Sequence, residues 1–148
     1  ILASPRARFC SVFGRIGLVP DAGGFYLLPR IVGLQRAKDI MFTARSFGPE
    51  EAKDMGIVYE IHPQDALLDR AMEFAGRFRH ASRQAIGLTK NVLNQSLNLD
   101  EKAVGQLEAY AQGVAFATEY SGEAINNFLE KRPLAFDWDK MASVAKKD

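Results

Sequence analysis

From Leu67 to Arg132 the chain offers helices almost without interruption, and before them only Ile57-Val58-Tyr59-Glu60-Ile61 reads clearly as a strand. Two or three short strands beside six or more helices cannot make a complete sheet. The fold is therefore either mostly helical or the second half of an α/β domain. Leu67, Leu68, Ala71, Phe74, Ala75 and Phe78 form one helical stripe, and Ile86, Thr89, Val92 and Leu93 form another within 85–96. Asp100 is placed to cap a long helix reaching Thr118, and Ser121 to cap one ending near Arg132, where Pro133 blocks continuation. The last ten residues read as a loose tail.

Upstream, residues 1–20 are broken by Pro5, Gly14, Gly17 and Pro20 into short strands and turns. Asp21-Ala22-Gly23-Gly24 is a turn leading into a short helix, Phe25–Leu28, that Pro29 kinks or ends. Leu34, Ala37, Ile40, Met41 and Ala44 keep helical spacing, and Pro49 opens another short helix that Gly56 stops. The opening Ile1-Leu2-Ala3-Ser4, apolar and without Met, reads as a cut edge, and no secretory leader is recognisable there.

Composition excludes several function classes. Nineteen Lys+Arg against 18 Asp+Glu leave a net charge of +1, too little for electrostatic binding to nucleic acid or a membrane surface. No apolar run approaches the roughly 18 residues that span a bilayer. The single Cys10 rules out an internal disulfide, suits a reducing compartment and, with no histidine converging on it, reads as buried filler. His62 reads as a loop residue and His80 as a helix C-terminus; no ligand set for a metal groups together. Arg77, Arg79 and Arg83 read as a solvated face.

The densest signal is Ile16-Gly17-Leu18-Val19-Pro20-Asp21-Ala22-Gly23-Gly24. Asp21 has two readings. Its carboxylate can cap the following helix. Or it stands in an apolar wall of Phe13, Val19, Phe25 and Leu28, where desolvation raises its pKa toward acid/base values. Phe128 and Lys131, one helical turn apart, share a face on which an aromatic ring and a cation can hold an adenine and a phosphate; a core Phe beside a surface Lys is the plainer reading.

Taken in order, these segments resemble the crotonase superfamily, the enoyl-CoA hydratase/isomerase family, in its C-terminal half. The resemblance rests on Ala7-Arg8-Phe9, Phe13, Ile16 to Gly24, Leu28-Pro29-Arg30-Ile31-Val32-Gly33, Arg36-Ala37, Thr43-Ala44-Arg45, Glu51-Ala52, Gly56-Ile57-Val58 and, much later, Phe128-Leu129-Glu130-Lys131-Arg132-Pro133 with Phe136. It implies an α/β spiral of ββα turns, here only its end (1–62), then a helical oligomerisation region (63–136) and a tail (137–148). It implies an acyl-CoA substrate, homotrimers or hexamers, no cofactor beyond the coenzyme A of the substrate, and no nucleic-acid or membrane partner. The expected compartment is the cytoplasm, or the mitochondrial matrix or peroxisome in a eukaryote.

Residue by residue, the resemblance makes Asp21 the catalytic acid/base of the isomerase and dehalogenase branch. Phe13 falls where hydratases carry an acid/base Glu. Phe13, Phe25 and Leu28 become acyl-pocket walls, and Phe128 and Lys131 meet the CoA nucleotide. The two backbone N–H donors of the oxyanion hole belong to segments with no counterpart here. Isomerase chemistry is thus expected of the whole protein, with a hydratase, or a non-catalytic acyl-CoA-binding or oligomerising piece, as alternatives.

Overall fold

The structure, a computed structural model, describes residues 1–144. It divides into two units, Ile1–Glu73 and Phe74–Asp148.

The first unit holds two small strand pairs. Leu2–Ala3 (β1) runs parallel to Glu60–Ile61 (β4), and Phe9–Cys10 (β2) runs antiparallel to Ser46–Phe47 (β3). Between them lie a 3-10 turn, Val12–Ile16, and three helices: α1 (Gly24–Val32), α2 (Leu34–Thr43) and α3 (Pro49–Asp54). The core joins these elements through Ala3, Val32, Ala37, Ile40, Phe47, Ala52, Met55 and Val58. Ala37 and Ile40 are each only 2% exposed and Met41 and Ala44 are buried with them, so the helical spacing read from 34–44 turns its stripe inward except at Leu34, which is exposed at the start of α2.

Arg45 follows α2 and bonds Asp39 on that helix and Glu51 on α3, which fixes the corner between them. Glu51 is held below its ordinary pKa by that guanidinium. On β4, Glu60 meets His62 and Arg70, the latter from α4 (Leu67–Arg77), and Arg70 also reaches Glu73.

Two expectations change here. The strand foreseen over 57–61 shortens to Glu60–Ile61, because the Ala52 carbonyl at the end of α3 accepts the N–H groups of both Ile57 (2.8 Å) and Val58 (3.1 Å). Backbone pairing with the first strand begins only at Tyr59, whose N–H donates to the Ile1 carbonyl. Pro29 does not end its helix: α1 runs through it to Val32. A proline at the sixth position of a nine-residue helix forfeits one bond, to the Phe25 carbonyl, and Val32 is buried in the core three residues later.

The only regular elements among the second unit's described residues are helical: the end of α4, a 3-10 turn (Phe78–His80), α5 (Arg83–Ser96), α6 (Glu101–Phe116), α7 (Glu119–Leu129) and α8 (Trp138–Val144). Asp100 caps α6 as foreseen, accepting from the Ala103 N–H. Thr118, not Ser121, caps α7: its hydroxyl accepts from the Ser121 N–H, which places Ser121 inside the first turn.

The tail reading is corrected over 138–144, where α8 forms; residues 145–148 lie outside the described residues. Asp137 accepts from the Lys140 N–H at its start, and Trp138 packs on Phe74, Phe78 and Phe136 with ring centroids 5.1, 5.3 and 6.1 Å away. No residue of this unit is buried as deeply as the first unit's core, among those described, and Tyr110, Val114, Phe116, Phe128 and Leu129 are exposed. No helix among the described residues is long and apolar enough to cross a membrane.

Candidate active site: an apolar cleft around Asp21

In the first unit, a cleft of about 290 Å³ is walled by Phe9, Phe13, Leu28, Met41, Phe47 and Ile57, with Pro20, Asp21 and Gly24 at one side. Each wall has a local origin. Phe9 and Phe47 are register partners across the β2–β3 pair and stack at 5.6 Å. Phe13 rides on the 3-10 turn, which is pinned to the end of α2 because Arg15 Nε donates to the Ala44 carbonyl at 2.9 Å. The same carbonyl accepts the Cys10 thiol at 3.2 Å. Gly14 fits beneath: a Cβ there would lie 3.4 Å from the Met41 carbonyl oxygen.

Asp21 is the only carboxylate of the cleft lining, and it does not cap α1. The cap residue is Gly23, two positions later, with no side-chain bond. The reason is the turn between them. The Gly24 N–H donates to the Asp21 carbonyl at 2.8 Å, while Ala22 (φ 49°) and Gly23 (φ 81°) are both left-handed. Positive φ at both central residues is the pattern of a type I′ turn. It uses Asp21's backbone to close the turn and leaves the exposed carboxylate without a hydrogen bond or ion pair among the described residues. Gly24 packs closely, since a Cβ on it would meet the Pro20 Cβ at 3.3 Å. Its small size therefore serves packing.

The residues singled out from sequence do not all meet. Asp21, Phe13 and Leu28 share the cleft. Phe25 and Val19 are 59% and 69% exposed and are not part of its lining. Phe9, Met41, Phe47 and Ile57 were not singled out as walls: two-residue strands are too short to show alternation, and Met41 reads as plain core on the α2 stripe. Phe128 and Lys131 belong to the second unit. Phe128 is 71% exposed and borders a groove with Ser82, Ile125 and Leu134.

The shared helical face is corrected, because α7 ends at Leu129. Lys131 is left-handed (φ 55°), its N–H donating to the Phe128 carbonyl and that of Arg132 to the Asn127 carbonyl. This is a Schellman ending with lysine where glycine is usual.

Cys10 borders the cleft as a free, exposed thiol, a correction to its reading as buried filler: it lies on a two-residue strand that exposes one side. His62 bonds Glu60, and the His80 carbonyl accepts the Tyr120 hydroxyl. Arg77 lies 5.1 Å from the centre of the Trp138 ring. No group of three or more metal-ligating side chains occurs among the described residues.

The family model for enoyl-CoA hydratase/isomerase matches residues 1–140. The chain belongs to this enoyl-CoA hydratase/isomerase family. Among its relatives, a crotonyl-CoA hydratase of Syntrophomonas wolfei is 33% identical over 91% of this chain and 52% of its own length. A 1,2-epoxyphenylacetyl-CoA isomerase of Escherichia coli is 30% identical over 92% of this chain and 52% of its own. The crystal structure of an enoyl-CoA hydratase/isomerase from Cupriavidus metallidurans is 50% identical with a TM-score of 0.87, covering 91% of this chain and 51% of that one. The fold is thus of the crotonase type, and this family chain spans about half the length of the relatives it matches. The family is enzymatic.

Proposed function

We propose that this segment supplies the acid/base carboxylate and part of the acyl-pocket wall of an enoyl-CoA isomerase. The observation that carries the proposal is Asp21 as the sole carboxylate in the lining of a mainly apolar cleft. Water addition by two carboxylates, as the resemblance describes it for hydratases, would use the position of Phe13, and a phenyl ring moves no proton. Double-bond migration needs only one carboxylate that reaches two carbons.

In a 3-enoyl thioester, the Asp21 carboxylate would take a proton from C2. The electron pair would spread into the thioester as a dienolate, and the same proton would return at C4, leaving the double bond between C2 and C3. Negative charge on the thioester oxygen needs two N–H donors aimed at it. The resemblance assigns these to segments outside this chain, so the chain alone should not turn over. Phe13 and Leu28 would bound the acyl group. Phe128 and Lys131 would meet the CoA nucleotide, within a homotrimer or hexamer.

The test is turnover of 3-enoyl-CoA and 2-enoyl-CoA by the whole protein, with isomerisation and hydration followed separately. Isomerisation that exceeds hydration supports the proposal, and hydration as the dominant activity contradicts it. The hydratase alternative is favoured by the name of the Syntrophomonas relative and would need at least one further acid/base carboxylate from outside this cleft.

A further inference from the structure

We propose that Ala22 is a positioning residue for Asp21, and that its methyl group acts by restricting the backbone; this rests on the isomerase reading of Asp21. Ala22 is exposed, so its methyl group fills no core space. Yet its backbone stands at φ 49°, a region where an L residue is strained and glycine is not. Strained backbone next to a candidate catalytic group is a recognised marker of an orientation held against local preference.

The neighbours tighten the same bracket. Pro20 fixes the backbone on the other side of Asp21, since its ring locks φ. Gly24 sits against Pro20 at the limit of close packing, and its N–H closes the turn onto the Asp21 carbonyl at 2.8 Å. Asp21 is thus held between one residue with a locked φ and one confined to a narrow left-handed well. A glycine at position 22 would satisfy the turn without strain but would open a far wider range of backbone angles. The carboxylate would then spend less time where it reaches both C2 and C4.

Substitution at position 22 separates strain from stability. Ala22→Gly, Ala22→Asn and Asp21→Asn are compared in the whole protein for kcat, KM and melting temperature with a 3-enoyl-CoA thioester. Ala22→Gly is expected to melt at the same or a higher temperature, while kcat falls about 5-fold at unchanged KM because orientation is lost. Ala22→Asn, which tolerates the left-handed region but keeps a Cβ, is expected to retain kcat within about twofold.

The proposal is overturned if Ala22→Gly keeps its kcat, if Ala22→Asn falls as far as Ala22→Gly, or if the loss comes with a lower melting temperature and a raised KM, the mark of a merely structural residue. Asp21→Asn keeps the two claims apart. Its inactivity beside a fully active Ala22→Gly leaves the reading of Asp21 standing and removes only the role of Ala22. Full activity of Asp21→Asn removes both.

Discussion

Arg70 grips Glu60 through two parallel bonds, Nε to Oε2 and Nη2 to Oε1, each 2.8 Å. The pair ties α4 to the last strand of the first unit, and with His62 it holds the Glu60 carboxyl down at about 2. A carboxyl lowered in the folded state favours folding above its unfolded pKa of 4.5, and loses that contribution as pH falls from there toward 2. Glu60→Gln should therefore destabilise the first unit at pH 7 by about 1–2 kcal/mol, allowing for screening of a partly exposed pair. Denaturant melts of both proteins between pH 7 and pH 2 should show the difference shrinking below about pH 4.5. A difference that persists unchanged to the acid end would contradict it.

The start of α7 offers a test inside the second unit. Thr118→Ala removes the hydroxyl that accepts the Ser121 N–H and should cost about 1 kcal/mol. Ser121→Ala, already within the helix, should change stability by less than about 0.5 kcal/mol or improve it. Equal effects, or the reverse order, in thermal unfolding would return the cap to Ser121.

Lys131 occupies a left-handed position that glycine fills without strain. Lys131→Gly should stabilise this helix ending by up to about 1 kcal/mol. If Lys131 meets the CoA nucleotide, the same change should raise KM for a CoA thioester several-fold and leave KM for a short pantetheine thioester unchanged. Equal KM values for wild type and variant with the CoA thioester would dissociate Lys131 from the nucleotide.

What was legible in the sequence was local. The α2 stripe, the Asp100 cap and the stop at Gly56 depend on residues within a turn or two of one another, and each appears where spacing and residue type put it. The misses share a different cause. Ile57 and Val58 have the composition of a strand, yet their N–H groups are taken by the carbonyl of Ala52. Trp138 starts a helix in a stretch that reads as tail, where it packs among aromatics from as far away as Phe74.

At the candidate site, Asp21 stood out because a carboxylate before Ala-Gly-Gly is conspicuous, but its freedom from capping depends on two successive left-handed residues that composition does not reveal. In sequence, Phe25 reads as a wall on the same footing as Phe13. Only the fold distinguishes the half-buried ring on the 3-10 turn from the exposed one on α1.

Whether Asp21 moves the proton is decided by Asp21→Asn in the whole protein. The carboxylate makes no cap bond, so the amide should leave the melting temperature within a degree or two and acyl-CoA binding largely intact. An amide cannot accept and return a proton near neutral pH, so the rate of 3-enoyl-CoA isomerisation should fall about 100-fold or more. Isomerisation at the parental rate, with folding and binding unchanged, would show that the acid/base group lies elsewhere.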